Sequence, residues 1–315
     1  MKFRTNITLQ KERNQIDYSS KLLLIGSCFS ENIYHKLDYF KFNSSSNPFG
    51  ILFNPKAIEN LITNAINLKV YSENDVFNLN ERFHCFDAHS DLSSTSKNKL
   101  LNNLNSEIKT TNKDITEASH IIITLGTAWA YRFIETDSIV GNCHKIPQKK
   151  FLKELLSVEE ITASLENMCA LIRHVNPTVT IIFTVSPVRH LKDGFIENSQ
   201  SKAHLLAAIH QIIPPSGVWG LYFPSYEIMM DDLRDYRFYN NDMVHLNETA
   251  INYIWEQFQQ VWIDEKTSSI RKEVDSIQKG LEHRPFNPTS EQHQKFLTDL
   301  HTKITFLKNN FNISF

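Results

Sequence analysis

The chain has 315 residues, a formal net charge of −2 and 41% hydrophobic content. That is a soluble globular composition with ample length for its own core, and the near-neutral balance gives no reason to expect nucleic acid or an anionic membrane as partner. The opening "MKFRTNITLQKERNQ" has no apolar h-region, the longest apolar run is too short to cross a bilayer, and the four cysteines follow no disulfide framework. A reduced, cytoplasmic protein is therefore expected.

Short apolar runs alternate with helical patterns. "KLLLIGS" reads as a buried strand, and residues 29–40 follow as a helix with Phe29, Ile33, Leu37 and Phe40 on one face. "NPFGILFNP" is a loop punctuated by Pro48, Gly50 and Pro55, and "KAIENLITNAINL" is a helix. The polar stretch beginning "SDLSSTSKNK" reads as a loop entering an exposed helix, and "ASHIIITLGT" as the clearest internal strand. "YRFIETDSIVGN" alternates around Thr136-Asp137 as a hairpin. Ser157 and Glu160 make a capping-box pattern opening a helix to about His174. "TVTIIFTVSPVRH" is a strand ended by Pro187. A helix from about Ser199 to Ile213, the strand "GVWGLYF", and a long loop through "DDLRDYRFYNNDMVHLNETA" follow. Asn247 is placed to cap the helix "ETAINYIWEQFQQVW". This order predicts a three-layer α/β/α sandwich with a mostly parallel sheet over residues 1–263. Residues 264–315, helical, charged and broken at "HRPFNPTS", are an appended helical extension that packs on the domain or on a partner.

In open α/β sheets, ligands gather beyond the carboxyl ends of the strands. Gly26-Ser27-Cys28 stands at such an end. Glycine permits a tight turn, and the following helix N-terminus offers free N–H donors and a positive partial charge. That setting is expected to lower a thiol pKa and to hold an oxyanion. Far along the chain, Asp242-Met243-Val244-His245 places a carboxylate where it can fix a histidine tautomer through Nδ1 and leave Nε2 free as a base. Arg189 and His190 follow another strand end, where Arg189 is placed to grip an anionic group. Asp87, His89 and Asp91 in "FDAHSD" share a face if extended, as half of a metal site or as a substrate-contacting loop. His144 and Lys145 either line a pocket or end an exposed hairpin. No glycine-rich phosphate fingerprint is present.

The stretches "LLLIGSCFSENI", "NPFGILFNP", "TLGTAWAYRF", "NCHKIP", "TVSPVRH" and "FPSYEIMMDDLRDYRFYNNDMVH" resemble the motifs of the GSCFA family over most of residues 20–260. That family is placed with the SGNH/GDSL-type hydrolases, so the resemblance implies a flavodoxin-like sandwich and acyl ester chemistry by a nucleophile–His–Asp arrangement. The nucleophile position of the wider group's G-D-S motif falls on Cys28, or on Ser27 with a shift of one residue, with His245 as base and Asp242 as its partner. Where the wider group has an asparagine donor after L-G-x, this chain has Ala128. Backbone N–H groups of Cys28 and Gly50, helped by Thr127, are then expected to hold the oxyanion, with His89, His144 and Arg189 contacting substrate. The expected activity is an esterase or acyltransferase on a small or carbohydrate-linked ester, an acyl thioester being a possible donor. No cofactor or metal is called for, nucleic acid and membrane are not expected partners, and the oligomeric state is left open. Two alternatives remain: a non-catalytic binding or scaffold protein on the same fold, and a metal-dependent phosphoesterase.

Overall fold

The computed structural model describes residues 5–213 and 220–315. Residues 1–4 of the amino-terminal stretch and 217–219 of the expected strand "GVWGLYF" lie outside them. Among the described residues, five parallel strands make the central sheet: β1 (Lys21–Gly26), β2 (Asn43–Ser46), β5 (His120–Leu125), β9 (Thr180–Val185) and β10 (Leu221–Tyr222). Their lateral order is β10-β9-β5-β1-β2. Counting only these strands, the second and third to form flank the first, which is the flavodoxin-like winding. The chain reverses its direction of growth across the β1/β5 gap, and the crevice at that switch point opens at the carboxyl ends.

Alternation within the strands builds two core layers, because successive side chains leave a strand on opposite faces. Leu23 and Ile25 pack with α2 (Pro55–Ile66), α3 (Lys97–Glu117), α4 (Val158–Val175) and α5 (Phe195–Ile212). Leu22 and Leu24 face the other way, against α1 (Cys28–Tyr39) and α7 (Glu248–Trp262). The result is the three-layer α/β/α sandwich.

Two antiparallel excursions leave this frame. One is the hairpin β3 (Phe77–Leu79) and β4 (Arg82–His84). The other is a three-stranded sheet of β6 (Trp129–Phe133), β7 (Ser138–Val140) and β8 (Phe151–Leu155). After β10 comes a short helical turn, α6 (Ser225–Glu227), which continues as a π-helical turn over Ile228–Leu233.

Local chemistry explains where the helices begin. Ser27, Asn54, Ser157 and Asn247 each accept a backbone N–H from the first turn of the helix that follows. The Ser157–Glu160 capping box is reciprocal, with both bonds formed. α5 begins at Phe195, after Gly194, rather than near Ser199.

Beyond α7, α8 (Ser268–Glu282) and α9 (Glu291–Phe311) form a hairpin with its own apolar cluster of Val274, Ile277, Leu300, Leu307 and Ile313. It is tied to α1 by Tyr39, whose hydroxyl donates to Asp275 at 2.9 Å and whose carbonyl accepts from Gln278 at 2.9 Å. Among the described residues, no helix is long and apolar enough to cross a membrane.

Gly26 closes β1 at the switch point. Its φ is +144°, and a Cβ there would stand 2.1 Å from the Thr124 carbonyl oxygen on β5. Neither strand can yield, because each is buried in the sheet. Replacing Gly26 by alanine is therefore expected to destabilise the protein by about 2–4 kcal/mol. Urea unfolding checks this, and a midpoint equal to wild type would contradict the close approach.

Candidate active site

Beyond Gly26 the chain turns at once into α1, and its first two residues after the glycine have different work. Ser27 is 1% exposed; its N–H donates to Thr124 O at 3.0 Å and its hydroxyl accepts the Phe29 N–H at 3.3 Å. It is the N-cap of α1. Cys28, the first residue of the helix, is half-buried and free. The loop from β2 clasps this turn from the side: Asn47 Oδ1 accepts the Gly26 N–H at 2.9 Å, and Leu52 N–H donates to Gly26 O at 3.1 Å.

Residues 239–246 supply the opposite wall. The pocket they close with the β1–α1 turn has a volume of about 430 Å³. Ser27, Cys28, His89, Arg189, His190 and His245 line it, with Ile51, Phe53, Val188, Leu191 and Val244 providing an apolar surface. His245 Nδ1 lies 2.6 Å from Asp242 Oδ2, and Asp242 Oδ1 accepts the N–H groups of Val244 and His245, each at 2.9 Å. A carboxylate can only accept, so Nδ1 carries the proton and Nε2 is left as the basic nitrogen. The His245 imidazole bond and the two backbone bonds hold the Asp242 carboxyl down to about 2. It therefore stays ionised across the neutral range.

The thiol departs from expectation. Burial pushes Cys28 above its ordinary value, and Glu31 on the same helix adds to the rise. Lys202 and the backbone N–H groups of Cys28 and Phe29 pull the other way without winning. The helix terminus favours the thiolate as the sequence implied, but desolvation outweighs it.

Several expected substrate contacts are otherwise engaged. Gly50 N–H donates to Asn47 O at 2.7 Å, which spends it within a turn. The glycine is needed there for a different reason: its φ is +71°, and a Cβ would meet His89 Cβ at 2.4 Å. Thr127 is buried, with Oγ1 2.9 Å from Ser201 Oγ and accepting the Trp129 N–H at 3.1 Å, so it fixes the loop after β5. His144 lies under the antiparallel excursions, not at the pocket. Its Nε2 sits 2.7 Å from Cys85 O, its ring packs on His84 and Phe77, and burial holds it down to about 4.

The "FDAHSD" stretch does not present one face either. Asp87 accepts from Lys69, Tyr71 and Asn60, each at 3.0 Å, while His89 reaches the pocket with Nδ1 3.0 Å from Asp91. Arg189 also reaches the pocket, and its guanidinium stacks 4.0 Å above the Tyr239 ring and 4.9 Å from Tyr236. The aromatic run thus forms a platform that aims a cation at the cavity.

Two residues that sequence reasoning left without a role gather here. His190 packs its ring on Phe53 and is held down to about 3, by burial first and then by the charges of Lys202 and His245. Lys202, on α5, is 1% exposed, and its ammonium donates to Gly126 O at 2.6 Å and Ser186 O at 2.7 Å. The signal for it was periodic: Asn198, Ser201, Lys202, Leu205, Ala208, Ile209 and Ile212 make one buried stripe of α5, and the lysine falls inside it.

Among solved structures, the chain is similar to an acetyl xylan esterase, Est2A, from the rumen bacterium Butyrivibrio proteoclasticus. The identity is 11% and the TM-score 0.39, and the match covers 86% of this chain and 66% of the esterase's length. Comparison with curated proteins gives no match. The model of the GSCFA family matches residues 21–258, and that of the GSCFA domain protein, C-terminal domain, matches residues 274–315. With its β1–α1 turn, its Asp242–His245 loop and most of its length inside the first match, the chain belongs to the GSCFA family.

Proposed function

We propose that this protein is an acyl esterase or acyltransferase of the SGNH type, with Cys28 as nucleophile, His245 as general base and Asp242 as the group that orients it. The observation that carries the reading is one cavity of about 430 Å³ lined both by the first residue of α1 and by an imidazole from 217 positions later (245 − 28) whose Nδ1 is already tied to a carboxylate. Nucleophile, base and orienting acid are the parts acyl transfer needs.

Both residues line the cavity, and Cys28 is preferred because Ser27 caps α1 with its oxygen and is almost fully buried, whereas Cys28 is only half-buried. In the reaction, Cys28 Sγ attacks the acyl carbonyl carbon while His245 Nε2 takes the thiol proton. The oxyanion forms at the N-terminus of α1, where the Cys28 N–H and the positive end of the helix lie. Collapse breaks the ester C–O bond, and His245 returns the proton to the departing alkoxide. The same imidazole then deprotonates water, or a second hydroxyl, which attacks the thioester carbonyl; collapse breaks the C–S bond, the proton returns from His245 to Cys28 Sγ, and the free acid (hydrolysis) or the new ester (transfer) leaves.

A thiol raised by burial is not a preformed thiolate, so the imidazole has to act in the attacking step. The apolar lining from Ile51, Phe53, Val188, Leu191 and Val244 suits a small uncharged acyl group, and Arg189 at the same cavity suits an alcohol part carrying a carboxylate or other anion.

Activity on a panel of short-chain acyl esters tests the assignment. Cys28→Ala and His245→Ala are expected to lose about 10³-fold or more, and Asp242→Asn about 10²–10⁴-fold. Ser27→Ala is expected to keep most turnover while losing about 1 kcal/mol of stability through the cap. Full activity in Cys28→Ala, Ser27→Ala and His245→Ala alike would end this assignment of the site.

The route of activation has its own check. Alkylation of Cys28 by iodoacetamide should rise with pH through a midpoint more alkaline than that of an ordinary exposed cysteine, since burial raises the thiol and its proton leaves only in more alkaline solution. A midpoint on the acid side of neutrality would mean a preformed thiolate and a different first step.

A further inference from the structure

Lys202 is an unusual lysine. Its side chain is fully enclosed, and among the described residues no carboxylate lies within ion-pair reach of it. Its two hydrogen-bond partners are neutral carbonyls: Gly126 O, just after β5, and Ser186 O, just after β9. An ammonium in that position is expensive to desolvate, and two carbonyls satisfy its protons without neutralising its charge. The Tyr226 ring lies 5.9 Å away. Among the described residues, the acidic group that acts on the ammonium electrostatically is Cys28.

The location is as specific as the burial. Gly126 follows the carboxyl end of β5, the strand next to β1, and Ser186 follows that of β9, the strand next to β5. A Cβ on Gly126 would lie 3.1 Å from Nε2 of His190, a residue that lines the cavity. Ser27 N–H is bonded to Thr124 O, two residues before Gly126. One of the ammonium's two anchors, Gly126, therefore follows the same strand end that holds the nucleophile turn.

We propose that Lys202 is a positioning residue for the nucleophile: a buried, carbonyl-anchored cation that serves as the counter-charge of the Cys28 thiolate as it forms. This rests on Cys28 being the attacking group. Forming the anion holds the proton on the amine, and the protonated amine favours the anion, so the two behave as one titrating pair.

The other groups facing that pair act in defined directions. Glu31 on α1, itself bonded by Asn47 Nδ2 at 3.4 Å, opposes the thiolate. His190 is kept uncharged by burial and by Lys202, so it does not compete as a cation. Arg189, Lys192, His89 and His245 line the same cavity as Cys28. Burial holds Lys202 down to about 7, and Cys28 works against that fall.

Iodoacetamide labelling of Cys28 from neutral to alkaline pH, read by peptide mass mapping, tests the proposal without any substrate. In Lys202→Gln and Lys202→Met the labelling midpoint should move to higher pH and the rate at neutral pH should fall about tenfold or more. Lys202→Arg, which keeps the charge, should stay near wild type. Folded uncharged variants with the wild-type profile would overturn the proposal.

If those variants do not fold, the coupling is read from the other side by NMR of ¹³C-labelled lysine. Lys202 should titrate at lower pH in Cys28→Ala than in wild type, and an unchanged titration would overturn the proposal equally. The two readings separate cleanly. A shifted labelling profile in a protein that cleaves no ester leaves the pair standing and removes the esterase. Cys28-dependent ester cleavage with an unshifted profile does the reverse.

Discussion

The molecule is organised around a contact that no side chain may enter. Gly26 brings the end of β1 so close to Thr124 that even a methyl group would overlap the carbonyl oxygen. Because the strand can end there, the next residue caps a helix and the one after it, Cys28, borders the crevice at the switch point of the sheet. The same glycine is held from the side by Asn47 and Leu52. Four segments thus meet on one backbone position: β1, β5, the loop after β2, and α1. The late loop bearing His245 then needs only to close the open side.

Electrostatics around the crevice follow from how much each group is covered. The Asp242–His245 pair stays half-exposed, so its carboxylate remains ionised and its role is orientation. Cys28 and His190 are covered enough to be driven toward their neutral forms. Lys202 is covered completely yet bonded only to carbonyls. The site therefore concentrates neutral, poised groups around one buried cation. That arrangement favours the appearance of negative charge during a reaction over its presence beforehand.

Much of this was legible in the amino-acid order, and what was not has physical causes. The runs "LLLI" and "III" declare buried parallel strands because every residue is apolar on both faces. Capping residues mark the helix starts, and Asp three positions before His in a loop marks a tautomer-fixing pair. By contrast, β2 is "NSSS" at the sheet edge, where partial exposure removes the apolar signal. The pairing of β8 with β6 depends on contacts some twenty residues apart that periodicity does not encode. Gly50, Thr127 and His144 were expected at the site from their motifs, but a motif names residue types and not their hydrogen-bond partners. Gly50 and Thr127 turned out to be spent on holding loops, and His144 on holding a strand pair. Lys202 was hidden because lysine is ordinarily a surface residue; only its phase on the buried stripe of α5 told otherwise.

The central claim, that Cys28 forms a bond with the acyl carbon, is tested most directly by trapping the intermediate. Rapid acid quenching of the protein mixed with an activated short-chain ester, followed by peptide mass mapping, should place the acyl group on the Cys28 peptide as a thioester that hydroxylamine removes. An acyl group recovered only on Ser27, or no site-specific adduct while ester is being consumed, would contradict it.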